Sequence, residues 1–416
     1  AEGMLFANAR IGMNDVYVTT FIVLAVLLFA PLYLAPRRPW AALAIVVGAG
    51  LALGLALASK WVGLYAIGGL ALLVLLRSGL GRATALLGMI GLTAVLGALA
   101  IRPAPGVEDP NRNWAFLLLM LVLTGLLTAA AVRRPIAWTR TEFGLAVLLP
   151  LVGGLALATL GQPLIGGLLM LAGVAAGLVA WVVTRLGRGP FVREPAEDTS
   201  TSGWLRPGWR LGIPWLITLG ALAVLPIGVY IISYSPWVEL GNQWGLPLLG
   251  DLPFLAATGG DGRTLADLTE SMYQYHDDLR AEHAASSPWW AWPLDLKPVW
   301  FFQERYAGPA TGLIYDTGNL VIFWLGIAGM GFSAWAAWAR RSVSLAIVVV
   351  MWAALWLPWA RIDRATFQYH VYASLPFVLM ARSYFLAELW HGPSARVWFL
   401  ARVAGALAVL AIPLMW

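Results

Sequence analysis

VYVTTFIVLAVLLFAPLYLA, residues Val16–Ala35, runs for 20 residues without a charged side chain. At about 1.5 Å per residue a helix of that length rises roughly 30 Å, the thickness of the hydrocarbon core of a bilayer. Pro36, Arg37, Arg38 and Pro39 close the run, and a second one starts at once, from Trp40 to Ala58. The chain therefore reads as crossing a membrane, turning and crossing back. Outward from this pair, apolar runs recur at Trp61–Leu76, Ala83–Ile101, Asn113–Val132, Phe143–Leu160, Leu164–Thr184 and Leu211–Tyr234. After a long polar interval come Asn319–Ala339, Val343–Ala360, Thr366–Ala381 and Val403–Trp416. That is about twelve spans, some shorter than the ideal length. The expected fold class is all-α, a polytopic integral membrane protein with one larger extracytoplasmic loop.

Composition agrees. Of 416 residues 60% are hydrophobic and 12% charged, whereas a soluble domain carries roughly 25% charged residues. Cysteine is absent, which excludes a disulfide framework, a thiolate metal site and a cysteine nucleophile. The net charge of +6 reads as basic inner loops rather than as a nucleic-acid surface. With no initiator Met before Ala1 and an apolar run still open at Trp416, the sequence is expected to be a piece of a longer protein. The expected organisation is an N-terminal transmembrane bundle at 1–186 and an inner linker rich in Gly, Pro, Ser and Thr at 187–209. A single span at 210–234, an extracytoplasmic loop at 235–317 and a C-terminal bundle at 318–416 follow.

Charge fixes the orientation. With Arg37 and Arg38 inside and one crossing per helix, the inner segments hold 17 of the 27 basic residues and 5 of the 21 acids; the outer segments hold 10 and 16. Basic residues accumulate on the cytoplasmic side of membrane proteins, so the 235–317 loop lies outside and the expected location is the cell membrane, multi-pass. Within that loop Leu265–Ala284 reads as a helix with Thr264 as its N-cap and Asp267 in its first turn. Met272, His276, Leu279 and His283 would share one of its faces. Ser286-Ser287-Pro288-Trp289-Trp290-Ala291-Trp292-Pro293 then breaks it. A divalent ion held by His276, Asp277 and His283 would have to bridge seven helical residues, about 10 Å, so no metal and no cofactor are assigned.

Few polar groups sit at the outer helix ends. Ala9-Arg10-Ile11-Gly12-Met13-Asn14-Asp15 opens the first span, Ser59-Lys60-Trp61-Val62-Gly63 makes a tight outer turn, and Arg361-Ile362-Asp363-Arg364 makes another, followed by Phe367, Tyr369 and His370. Ionisable groups at membrane depth mark function, although Arg10 and Lys60 could instead snorkel to headgroups and Asp15 could cap its helix.

These stretches resemble a known family. ARIGMNDVYVTTF (residues 9–21), GLALASKWVGLY (54–65), MYQYHDDLRAEHAASSPWWAWPL (272–294), Gly318-Asn319 and RATFQYH (364–370) are similar to the protein O-mannosyltransferases and their prokaryotic relatives. These belong to the C-type glycosyltransferase superfamily, which also holds the lipid A aminoarabinose transferase. The resemblance runs from residue 10 to about 375 and is most specific at the tyrosine-histidine helix followed by SSPWWAWP. The stretch from Arg102 to Arg210 has no close counterpart in the family's pattern. The resemblance implies a polyprenyl- or dolichyl-phosphate sugar donor, a mannose-like hexose, a protein, lipid or glycan acceptor outside the cytoplasm, and inversion in one displacement. It also implies a carboxylate base in a first outer loop, expected upstream of Ala1; Glu2 lies in no matching motif, and no catalytic residue is assigned within the chain.

The chemistry suits those roles. The leaving group is a lipid phosphate whose charge grows as the glycosidic bond breaks, and cations at the outer surface stabilise it. Arg10, Lys60 and Arg364 are the expected phosphate ligands, converging on one cavity beneath the 235–317 loop, and His370 can donate one further hydrogen bond. Asp15 would orient Lys60 or the acceptor hydroxyl. Tyr275, His276, Asp277 and Tyr369 would flank the acceptor, and Trp289 and Trp290, with Trp292, offer flat faces to a sugar or to lipid headgroups. The expected partners are the lipid-linked donor, membrane lipids and the acceptor, with no nucleic acid. A transporter or lipid flippase would share the hydropathy but show internal repeats and charges near the midplane. A surface-polysaccharide polymerase or ligase would share the outer loop.

Overall fold

The computed structural model describes residues 3–34, 38–75, 110–133, 136–138, 140–159, 191–193, 215–245, 262–279, 283–362, 364–392 and 396–411, with scattered positions between 89 and 101 and between 163 and 181. The chain forms two compact units, one of residues 1–70 with 219–416, the other of residues 71–218. Most of the expected spans at 83–101 and 164–184, and most of the 187–209 linker, lie outside the described residues. So does the outer-turn residue Asp363.

In the first unit a short helix α1 (Gly3–Ile11) meets the first span α2 (Asn14–Leu34). The break between them needs Gly12, whose φ of 69° lies in the left-handed region that a side chain disfavours. α2 is apolar all round, as a membrane span is. It buries Val18, Ile22, Ala25, Phe29 and Leu32, while Leu27 on its outer side is 64% exposed. α3 (Pro39–Ser59) returns antiparallel beside it, and α4 (Gly63–Leu75) follows a turn of three residues, Lys60 to Val62. α7 (Trp215–Ile232) lies against α3 where Gly50 and Gly54 leave room. A Cβ on Gly54 would fall 2.5 Å from Val229, and one on Gly50 2.6 Å from the Ala221 carbonyl. Small residues four apart are how membrane helices bring their backbones together.

The C-terminal part of this unit holds α10 (Leu320–Ala339), α11 (Val343–Trp356), α12 (Leu375–His391) and α13 (Arg396–Ala411). Asn319 caps α10 by accepting from the Val321 and Ile322 amides at 3.1 and 3.2 Å. Ahead of it stand the short α8 (Ser235–Glu239) and the polar helix α9 (Leu265–Asp278). An antiparallel hairpin, β3 (Val299–Arg305) with β4 (Thr311–Asp316), follows before α10. The second unit contains α5 (Pro110–Arg133), α6 (Arg140–Thr159) and a parallel pair of three-residue strands, β1 (Ile136–Trp138) and β2 (Phe191–Arg193), the latter within the expected linker.

Among the described residues five helices are long and apolar enough to cross a membrane: Asn14–Leu34, Trp40–Ser59, Gly220–Glu239, Leu320–Ala339 and Val343–Arg361. The all-α, polytopic membrane fold stands. Three local expectations are corrected. α9 stops at Asp278 instead of Ala284, because Asp277 and Asp278 bring two carboxylates to the negative pole of its dipole. The expected span at Thr366–Ala381 opens as a 3-10 turn over Gln368–Ser374, and its α-helical part begins at Leu375, beside Pro376, and runs to His391. The hairpin was not foreseen at all.

Candidate functional site: a cation pair at one end of the helices

Asp15, in the first turn of α2, is 3% exposed. Lys60, at the turn between α3 and α4, binds it through both carboxylate oxygens at 2.8 and 2.9 Å. A buried carboxylate persists only when paired and hydrogen-bonded, so Asp15 holds the ammonium at this end of the bundle. The same ammonium lies 5.5 Å from the centre of the Tyr369 ring, a cation–π distance.

Arg364 joins this group. Its guanidinium is within electrostatic reach of Tyr65, His276, Tyr369 and His370. It is half-buried, and among the described residues no carboxylate forms an ion pair with it. Partial burial, followed by the positive charge of Arg364, pushes the His276 imidazole below the usual histidine value. Tyr369 also feels the carboxylates of Asp15 and Asp316. Two cations and two carboxylates are thus within electrostatic reach of one phenol.

The residues below Tyr369 fix it. Its ring lies over His370 at 4.6 Å and Phe367 at 5.5 Å, and Phe301 of the hairpin touches it at 5.8 Å. His370 is 5% exposed, packed between Trp292 and Trp359 at 5.8 and 4.3 Å, with Nδ1 bound to the Phe367 backbone. It supports Tyr369 from below and is screened from solvent. The SSPWWAWP segment is sewn to RATFQYH: Ser287 N–H donates to the Thr366 carbonyl at 2.8 Å and Thr366 Oγ1 donates to the Ser287 carbonyl at 2.9 Å. The Trp292 indole N–H closes the turn on Ser287. The two stretches of sequence are one structural piece.

The tryptophans divide. Trp292 is wholly buried and offers no face to a ligand. Trp289 packs on Trp356 at 4.7 Å, and only Trp290, 54% exposed, opens onto space: a cleft of about 410 Å³ walled by Phe323, Met330, Trp352 and Trp356. A second groove, about 710 Å³, runs between α3, α7 and α9 past Leu57, Trp61, Leu64, Tyr230 and Tyr273. Glu270 also lines it. The ring of its Trp61 wall lies 6.3 Å from that of His276, which feels the charge of Arg364. Tyr275 and Asp277 are exposed on α9, Tyr275 against His276 at 5.3 Å.

Arg10 departs from the expected convergence. α1 buries Met4, Ala7 and Asn8, and at about 100° per residue Arg10 and Phe6 fall on the opposite side. Its guanidinium lies 5.3 Å over the Phe6 ring. His283 is not on one helical face with His276; beyond the end of α9 it packs on Phe367 at 5.0 Å. Among the described residues no cluster of three metal-ligating side chains occurs.

Sequence reasoning missed Asn8 and Asp316. Both are wholly buried, and the Asn8 amide donates to Asp316 at 2.5 Å and to the Met4 carbonyl at 2.9 Å, tying α1 to the foot of the hairpin. An Asn inside a short apolar helix carries no signal of its own. Asp316, two residues before the Gly318-Asn319 pair, could have been found by asking why a carboxylate adjoins a span.

The fold and this site define a multi-pass α-helical membrane protein with a cationic cluster at one end of its helices. Comparison with known proteins narrows the class. Residues 1–106 match the family described as dolichyl-phosphate-mannose-protein mannosyltransferase, and residues 263–415 match the C-terminal four-transmembrane region of protein-O-mannosyltransferase. The chain belongs to the protein O-mannosyltransferase-like glycosyltransferases. Curated relatives named polyprenol-phosphate-mannose–protein mannosyltransferase are 27% identical in Mycobacterium tuberculosis, over 45% of this chain and 40% of the relative. The one from Corynebacterium glutamicum is 29% identical over 45% and 40%, and that from Mycolicibacterium smegmatis 25% identical over 41% and 36%. The match thus spans about 40% of the length of these relatives. No solved structure matches.

Proposed function

We propose that this chain forms the donor-binding part of a mannosyltransferase that takes mannose from a polyprenyl-phosphate carrier at the extracytoplasmic face of the cell membrane and passes it to a protein acceptor. The observation that carries this reading is Arg364: a half-buried guanidinium with no described carboxylate partner, beside Lys60, at the outer helix ends. A half-buried cation without a counter-ion is costly, and an anionic ligand removes that cost. The apolar groove past Trp61 supplies the other half of a lipid phosphate, a channel for the hydrocarbon at membrane depth next to cations for the headgroup.

Arg364 and Lys60 then hold the phosphate while its charge grows. A guanidinium offers two parallel hydrogen bonds to phosphate oxygens, and the ammonium, steadied by Asp15, offers a point charge. Tyr369 lies within electrostatic reach of both cations and of the Asp15 and Asp316 carboxylates, and the sugar end of the donor would lie beside it. Attack by an acceptor hydroxyl on the side opposite the phosphate inverts the anomeric centre, with a carboxylate from an outer loop taking the proton. The names of the relatives support mannose as the sugar and protein as the acceptor.

The test is transfer by the full-length protein in lipid nanodiscs. Labelled mannose should pass from polyprenyl-phosphate mannose to a Ser/Thr-containing peptide, and nucleotide-activated mannose should not replace that donor. Transfer from the nucleotide sugar in the absence of any lipid carrier would overturn the reading.

A further inference from the structure

The β3–β4 hairpin has only two strands, and such a pair is marginal in water when nothing adds to it. Its foot is held: Val299 and Asp316 are buried and Asp316 takes the Asn8 amide. Its body is open. Trp300, Phe302, Tyr306, Leu313 and Tyr315 are between 38% and 52% exposed. From Val299 to Tyr306 there is no Pro, which would remove an amide from the edge; the charged residues are Glu304 and Arg305.

The hydrogen-bond phase of the ladder tells which groups look outward. The Tyr306 amide donates to the Ala310 carbonyl at 2.9 Å, so that pair is bonded inward. Antiparallel pairs alternate. Glu304 opposite Gly312 and Phe302 opposite Ile314 are therefore also bonded inward, and Gln303 and Arg305 direct their backbone N–H and C=O to the free edge of β3. Among the described residues no backbone group outside the hairpin bonds to that edge. The register shifts between Trp300 and Phe302, making Phe301 the extra residue of a bulge. Bulges re-aim side chains, and this one turns the Phe301 ring onto Tyr369 at 5.8 Å. A strand laid along β3 thus runs into the cationic cluster.

We propose that the free edge of β3 is the docking site of the acceptor polypeptide, which pairs with Gln303 and Arg305 as an added strand and carries its Ser or Thr hydroxyl to the Tyr369 end. This rests on the reading of the chain as a protein mannosyltransferase. Backbone pairing gives affinity that is largely independent of side-chain sequence. The edge does not suit the hydrocarbon of a membrane, where its outward N–H and C=O groups would be left unsatisfied, and Gln303, Glu304 and Arg305 are all exposed and polar.

The experiment uses full-length protein in nanodiscs, polyprenyl-phosphate mannose, and a set of acceptor peptides each bearing one N-methyl group, moved residue by residue away from the Ser. Blocking a paired amide should raise the peptide KM by roughly three- to tenfold, at every second position, with kcat and donor KM unchanged. Gln303→Pro, which removes one outward amide and leaves the ladder intact, should raise KM for the unmodified peptide and abolish the sensitivity at one register position. The peptide series needs no protein variant, so misfolding of Gln303→Pro does not obscure the outcome. Uniform or absent sensitivity to N-methylation overturns the docking edge. So does an unchanged peptide KM in Gln303→Pro, whether the variant has lost self-association, which would give the edge to a second copy, or lost vesicle binding, which would give it to the membrane. If the wild-type protein transfers no mannose from the lipid carrier to any peptide, the functional reading fails and the docking proposal falls with it.

Discussion

Replacing Arg364 by Ala removes the half-buried guanidinium that has no described carboxylate partner and stands beside Lys60 and Tyr369. A hydrogen bond to a charged partner contributes about 1.5–3 kcal/mol, which at about 1.4 kcal/mol per decade is a tenfold to hundredfold loss in donor affinity. Lys60 compensates little, since Asp15 already engages its ammonium through both oxygens. If the contact tightens as the phosphate leaves, kcat falls as well as donor affinity. Arg364→Lys keeps the charge but not the fork, and should retain a small fraction of activity. His276 gives an independent readout. Part of its lowered pKa comes from the positive charge of Arg364, so in Arg364→Ala the imidazole should titrate at higher pH than in wild type, visible by NMR in folded protein. Arg340→Ala, in a partly exposed ion pair with Glu388, is the control and should leave transfer nearly unchanged. The assay is steady-state transfer at varied polyprenyl-phosphate-mannose concentration. Wild-type donor KM and kcat in Arg364→Ala, with His276 shifted upward, would show that the guanidinium is near the site but does not bind the donor, and would refute the reasoning.

Other consequences follow from the packing. Lys60→Ala strands a carboxylate that is 4% exposed, whereas Asp15→Ala leaves a lysine 28% exposed and able to reach water; thermal unfolding should show the lysine deletion as the more destabilising, by roughly 2–4 kcal/mol. Gly54→Ala forces a Cβ to 2.5 Å from Val229 and should lower stability by about 1–3 kcal/mol, read as an earlier midpoint in thermal melts. Asn8→Ala leaves Asp316 without its amide donor and should cost about 1–3 kcal/mol, whereas Arg10→Ala on the exposed side of the same helix should melt almost as wild type. Because the chain has no cysteine, a single Cys at Ala284 should react with an impermeant thiol reagent in intact cells and one at Ser200 should not.

Much of the fold could be read before any coordinates because a membrane span declares itself by length and by missing charge. Asn14–Leu34 differs from the expected Val16–Ala35 by two residues at its start and one at its end. Motif order and spacing pointed to Lys60, Asp15, Arg364 and Tyr369, and folding brings these together. Periodicity could not tell which face of α1 is buried, since a nine-residue helix with Arg10 near its end fits either orientation. The hairpin is hidden in the sequence because the bulge at Phe301 breaks the alternation that identifies a strand. Trp289, Trp290 and Trp292 looked equivalent in sequence. Only the 3-10 turn, with the Trp292 indole bound to Ser287, separates one buried ring from one exposed ring.

The central claim is that Arg364 and Lys60 bind the phosphate of a lipid-linked sugar. Its most direct test is a structure of the full-length protein in nanodiscs with a polyprenyl-phosphonate mannose whose glycosidic linkage cannot be cleaved. The account predicts the phosphonate within hydrogen-bond distance of both cations, its chain in the groove past Trp61 and its sugar beside Tyr369. A phosphonate bound elsewhere, with Arg364 paired to a protein carboxylate in the occupied state, would contradict it.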